Sequence, residues 1–228
     1  MNSDLVRTVR LAPLAFVVLV ATQAACGDNG STDPSKPSAL AAVSPDSQTT
    51  AAGVKMAQPL VVRLTGGGDT PIAGTTVFWG ITAGGGSLTD SSSTTDADGK
   101  AQTTYTPGTE LLTANVSASV GSIRANFKIV LVAGPATQLA KFGSDNPAAV
   151  AGSQLTLAVK LVDAFGNGIA DQTVNWAADG GTISAATGTT DKGGVTSVTY
   201  TVSDQPGTYT LTATAEGVPA TTFTIKAI

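Results

Sequence analysis

The chain has 228 residues, a net charge of −4, one cysteine and no histidine. The missing histidine removes Ser-His-Asp and Cys-His arrangements and the commonest zinc ligand, and a lone cysteine cannot form an intrachain disulfide. Twelve Lys and Arg residues, scattered singly, argue against nucleic acid as a partner, because phosphate binding draws on clustered basic side chains.

The N-terminus carries Arg7 and Arg10, then the apolar run LAPLAFVVLVA from Leu11 to Ala21. A basic start, a short apolar run and a small-residue exit predict a cleaved signal peptide over 1–25 and hence an exported protein. The run is shorter than the roughly 20 residues a helix needs to span a bilayer, and Pro13 interrupts it. No later segment is apolar for long enough to span either.

Gln23-Ala24-Ala25-Cys26-Gly27 resembles a bacterial lipobox, in which small residues precede a cysteine that receives a diacylglycerol thioether and becomes the new N-terminus. The resemblance implies lipid attachment at Cys26 and a membrane partner reached through that lipid. Gln23 departs from the pattern, which usually has Leu or another aliphatic residue there. Ordinary cleavage near Ala24 is the alternative, leaving Cys26 an incidental thiol on a secreted protein. Loss of residues 1–25 removes Asp4, Arg7 and Arg10, which takes the net charge to −5 and leaves an acidic, soluble surface. From Cys26 to Ser38 the Gly/Asp/Ser/Pro-rich chain, with Pro34 and Pro37, reads as a flexible tether (26–38).

The remainder reads as two diverged copies of one unit, 39–133 and 134–228. PIAGTTVFWG (71–80) corresponds to GIADQTVNWA (168–177), pairing Trp79 with Trp176. Thr95-Asp96 pairs with Thr190-Asp191, Tyr105 with Tyr200, and Leu112-Thr113-Ala114 with Leu211-Thr212-Ala213. These offsets of 95 to 99 residues are too long for a solenoid repeat and suit two domains the size of an Ig-like sandwich. Within each copy the apolar residues alternate. Leu155, Leu157, Val159 and Leu161 share a face, as do Tyr209, Leu211, Ala213 and Ala215, and Phe223 and Ile225. Such alternation predicts half-buried strands, so the expected fold is all-β: two tandem antiparallel β-sandwiches of about seven strands each.

The second copy resembles the bacterial Ig-like domains of group 1, the invasin/intimin type, through AGPATQL, VDAFGNGIADQTVNW (162–176), TTDKGG and PGTYTLTATA. The first copy keeps PIAGTTVFW, TTDADGKA and TPG, but has GGGD (66–69) where the second has the family-like DAFG. The resemblance implies the sandwich fold and a module used as stalk, spacer or adhesive tip.

The polar motifs read as turns before they read as sites. TTDADGK (94–100) echoes a calcium loop through Asp96, Asp98 and Gly99, yet the twelfth-position carboxylate of an EF-hand would fall near Pro107. What persists in TTDKGG is Asp followed three residues later by Gly, which is turn chemistry. DAFGNG (163–168) predicts an Asn-Gly hairpin. The glycine runs 66–68 and 84–86 precede neither a helix nor a Lys-Ser/Thr pair, so they make no phosphate cradle. Trp79, Trp176, Tyr105 and Tyr200 are expected in the sandwich cores. Phe142 and Phe165 are the expected exposed aromatics, for which packing between the copies is the alternative.

The expectation is therefore a non-enzymatic cell-envelope lipoprotein with no catalytic, metal or cofactor site. It would display or space a protein or glycan ligand at the outer membrane or cell surface rather than facing the periplasm. The alternatives are a periplasm-facing accessory subunit that binds by edge-strand addition, and a carbohydrate-binding module.

Overall fold

A computed structural model describes residues 33–143 and 148–228. The expected signal peptide, Cys26 and the tether as far as Thr32 lie outside the described residues.

The first copy contributes β1 (Ala39–Ala42), β2 (Ser47–Ala51), β3 (Leu60–Thr65), β4 (Thr76–Ala83), β5 (Ser87–Leu88), β6 (Ser92–Thr94), β7 (Lys100–Thr103), β8 (Tyr105–Thr106), β9 (Ala114–Val120) and β10 (Ile123–Val132). The second contributes β11 (Gln138–Phe142), β12 (Ala148–Ala149), β13 (Gln154–Val162), β14 (Thr173–Ala178), β15 (Thr182–Ile183), β16 (Thr187–Thr189), β17 (Val195–Thr201), β18 (Gly207–Ala215) and β19 (Thr221–Ala227).

The two copies repeat one strand order. The five-stranded sheet β2-β10-β9-β4-β6 has its counterpart in β12-β19-β18-β14-β16. Opposite it, β1-β3-β7 and the pair β5-β8 correspond to the single sheet β11-β13-β17-β15. The latter is continuous because β17 runs unbroken where the first copy is interrupted at Thr104.

One pairing in each copy departs from the antiparallel expectation: β2 runs parallel to β10, and β12 parallel to β19. The cause is the first strand of each copy, which splits. Its leading half pairs antiparallel in one sheet (β1 with β3, β11 with β13), and the chain then crosses to the last strand of the other sheet. The sandwich edge is thereby covered on both sides, which leaves less unpaired backbone exposed.

Each copy has its own apolar core, drawn from both of its faces. In the first, Leu60, Val62 and Leu64 from β3 meet Val77 and Trp79 from β4 and Phe127 and Ile129 from β10. In the second, Leu157, Val159 and Leu161 meet Val174, Trp176, Leu211, Phe223 and Ile225. The period-two faces read from the sequence are the faces buried here; Leu155 and Tyr209, near strand ends, are only half-buried.

The turn before β14 carries a sequence cost. Asp171 takes φ 59°, and its N–H donates to Thr190 O at 2.9 Å. The equivalent in the first copy is Gly74, φ 72°, whose N–H donates to Thr95 O. A side chain in the left-handed region is disfavoured where glycine is not, so Asp171→Gly is expected to stabilise the second sandwich by up to about 1 kcal/mol. A higher urea midpoint at unchanged slope checks it; an unchanged or lower midpoint contradicts it.

Candidate functional site

The aromatic candidates are core. Trp79 and Trp176 are about 5 % exposed and pack against Phe127 and Phe223, with ring centroids 6.2 and 6.5 Å apart. Tyr105 and Tyr200 are fully buried, and their hydroxyls donate to Gly85 O and Gly180 O. The run 84–86 is the turn beneath Tyr105: at Gly86, φ 100°, a Cβ would come within 2.8 Å of the ring. Gly86 makes room for the tyrosine, whereas Gly84 lies against Ala114.

The acidic motifs are turns. Asp96 Oδ1 accepts the N–H groups of Asp98 (2.9 Å) and Lys100 (2.8 Å), with Gly99 at φ 75°. Asp191 repeats the arrangement with Gly193 and Val195 and with Gly194 at φ 79°. The Asp98 carboxylate forms an exposed ion pair with Lys100 at 3.6 Å. Among the described residues, no three His, Cys, Asp or Glu side chains come together to hold a metal ion, and no helix is long and apolar enough to cross a membrane.

The DAFGNG segment departs from its expectation. A turn is present, but only one bridge, Val162 to Gly168, closes it. The flanking strands do not pair with each other: β13 pairs with β11 and β17, whereas β14 pairs with β16 and β18. The expected hairpin is a crossover between sheets, and its left-handed residue is Gly166 (φ 83°), not the Gly168 of the Asn-Gly pair.

Asp163 organises this crossover. It is 3 % exposed; Oδ1 accepts the N–H groups of Phe165 and Asn167 at 2.9 Å. Its Oδ2 accepts Gly134 N–H and Asn167 Nδ2–H at 3.0 Å. Burial, the largest single influence, pushes the carboxyl up, but the hydrogen bonds from Asn167, Gly134 and Phe165 together hold it below the usual 3.8.

A lowered folded value means that the stability Asp163 contributes is complete above the unfolded value near 3.9 and is lost as pH falls through the folded one. The urea midpoint of the second sandwich is expected to fall as pH is lowered below about pH 5, and less so in Asp163→Asn. Equal pH slopes in the two proteins would contradict it.

Of the exposed aromatics, Phe142 and Phe165 are 52 % and 50 % exposed. Phe78, which was not expected, is 59 % exposed on the outer face of its five-stranded sheet, between Ser92 and Ser119. Its signal was present in the sequence: Val77 and Trp79 point inward, so strand alternation sends Phe78 outward. A groove of about 500 Å³ beside Pro135 is walled by Asp171, Gln172 and Glu216 and lined by no aromatic or basic side chain.

Residues 140–228 match the family model of the bacterial Ig-like domain (group 1). Similar solved structures include the D0–D1 domains of intimin, at 22 % identity and a TM-score of 0.33, covering 82 % of this chain and 98 % of that one. The D00–D0 domains of intimin follow at 14 % identity and a TM-score of 0.45, covering 81 % and 98 %. The Yersinia pseudotuberculosis adhesin InvE matches at 21 % identity and a TM-score of 0.39, covering 82 % of this chain and 58 % of that one. No curated protein matches the chain. Residues 140–228 therefore belong to the bacterial Ig-like domain (group 1) family.

Proposed function

We propose that the protein is a non-enzymatic bacterial envelope lipoprotein in which two tandem Ig-like domains, 39–133 and 134–228, act as a structural or adhesive display module at the cell surface. The observation that carries this reading is the pairing of a bacterial Ig-like domain over 140–228 with a second sandwich of the same strand order before it. Such modules supply a stiff scaffold with loops at its ends, and function lies in what those loops present. A protein or glycan ligand would be met there.

The anchor is the lipid on Cys26, and the proposed tether is shorter than composition alone implies. From Asp33 onward the chain lies on the first sandwich: Gly67 N–H donates to Asp33 O at 3.0 Å, and Ser38 N–H to Thr65 O at 2.9 Å. Residues 27–32 then separate Cys26 from the packed chain.

Intact mass of the membrane-extracted protein tests the anchor. A chain beginning at Cys26 and carrying diacylglyceryl is expected; a chain cut near Ala24 with a free thiol contradicts it. Phe78 favours a second reading, glycan binding, because an exposed ring among serines suits stacking on a sugar face. Loss of glycan-array binding in Phe78→Ala would support it, and an array without hits would end it.

A further inference from the structure

The Asp163–Asn167 loop has a counterpart in the first copy, Gly66–Thr70. Gly66 N–H donates to Thr70 O at 2.9 Å, as Asp163 N–H donates to Asn167 O at 3.0 Å. Each loop is closed by one bridge, Thr65 to Pro71 and Val162 to Gly168. Both also hold the chain that leads into their own sandwich, through Asp33 O in one case and Gly134 N–H in the other.

Their chemistry differs. In the first loop Gly66 lies against the incoming chain, where a Cβ would be 2.2 Å from Pro34 O. The second loop carries Phe165 and Asn167, and both reach the first sandwich. At Gly53, φ 69°, an added Cβ would lie 2.5 Å from Cε2 and Cζ of Phe165, so the ring rests directly on that α-carbon. Asn167 Nδ2 donates to Thr109 O at 2.8 Å and to Asp163 Oδ2 at 3.0 Å. Gly53 and Thr109 form one seat, because Gly53 N–H donates to Gly108 O at 2.9 Å.

We propose that residues 163–167 are a clasp that locks the second sandwich onto the first. Phe165 is the ring that fills the seat at Gly53, and Asn167 is the directional hydrogen bond that sets the twist. Asp163 is the positioning residue, since one carboxylate holds the linker, the turn and the Asn167 amide together. Tandem modules joined by short linkers move relative to each other unless their junction restrains them. A ring contact, a hydrogen bond and a pinned linker restrain bend and rotation at once.

The clasp also accounts for the point at which the copies diverge. The first sandwich has no ring or amide in its loop, and among the described residues that loop meets the turn at Asp33–Lys36. At the far end of the second sandwich the position equivalent to Gly53 is Gly152, φ 76°, where Asp204 Oδ1 lies 3.1 Å from an added Cβ. Asp204 belongs to Val202–Gln205, a segment the first copy lacks. A carboxylate over that seat disfavours an apolar ring, so the described residues hold one clasp and one matching seat.

Spin labels at the exposed, equivalent positions Gln102→Cys and Ser197→Cys, in the full chain with Cys26→Ser, test this by pulsed dipolar distance measurement. A single narrow distance distribution is expected, widening at least about twofold in Phe165→Ala/Asn167→Ala. Gly53→Ala, which pushes the ring off from the other sandwich, is expected to widen it similarly and to add little to the loop variant. A broad distribution in the parent protein, or one left narrow by both Phe165→Ala/Asn167→Ala and Gly53→Ala, would overturn the clasp.

Discussion

Trp79→Ala is expected to destabilise the first sandwich by about 3–5 kcal/mol, the cost of emptying a large aromatic site from a core. The indole is 5 % exposed, packs on Phe127 of the same five-stranded sheet, and sits among fully buried Val62, Leu64, Val77 and Ile129. A unit of this size has about 5–14 kcal/mol of stability in total, so the variant would keep a small remainder. At about 4–8 °C per kcal/mol, its melting temperature should drop by roughly 12–40 °C. The second sandwich has a separate core around Trp176 and Phe223 and should melt within a few degrees of where it did. Calorimetry should thus separate one shifted transition from one nearly fixed. Two transitions falling together by the same amount would contradict independent cores.

The second large effect lies in how the two tryptophans are satisfied. Trp79 Nε1–H donates to Ser93 Oγ at 2.8 Å. Trp176 Nε1 is buried with no hydrogen-bond partner. Register explains the difference: Ser93 lies opposite Val77 in the first copy, and Gly188 opposite Val174 in the second. Glycine there goes with a second change, since Val62 faces Ala101 in the first copy and Val159 faces Thr196 in the second. A Cβ at position 188 would meet Thr196 Oγ1 at 2.5 Å.

Ser93→Ala should therefore cost about 1–3 kcal/mol, by placing Trp79 in the state Trp176 already occupies. Gly188→Ser/Thr196→Ala should gain the second sandwich about 1 kcal/mol, by supplying the acceptor and clearing its space. Gly188→Ser alone should gain less, because the serine meets the threonine hydroxyl. Urea unfolding of the three variants checks the set. A double variant less stable than the parent would contradict it.

Both predictions show what the sequence made legible. Period-two alternation placed Leu157, Val159, Leu161, Phe223 and Ile225 inside, and the recurrence of Trp and Tyr at matched positions marked them as core. Asp-x-x-Gly was readable as a turn because the Asx bond is local, spanning two to four residues. What was not legible depends on partners far along the chain. Asn-Gly after β13 announced a turn, but turn chemistry does not say which strands pair, and here they enter different sheets.

The same limit applies to the Ser93 acceptor, which needs strand register, and to the Phe165 seat, which lies 112 residues earlier at Gly53. Phe78 is different. Its outward position follows from the same alternation that buries Trp79. Asp33–Ser38 looked like tether by composition, yet its backbone hydrogen bonds fall on the first sandwich.

The proposal of a surface display module can be put to labelling of intact cells with a membrane-impermeant amine reagent. Lys128 and Lys192 are exposed on the first and second sandwich, respectively. The expected result is that both are modified on intact cells to the same extent as after lysis. Modification of either sandwich only after lysis would place the modules on the inner side of the envelope and contradict surface display.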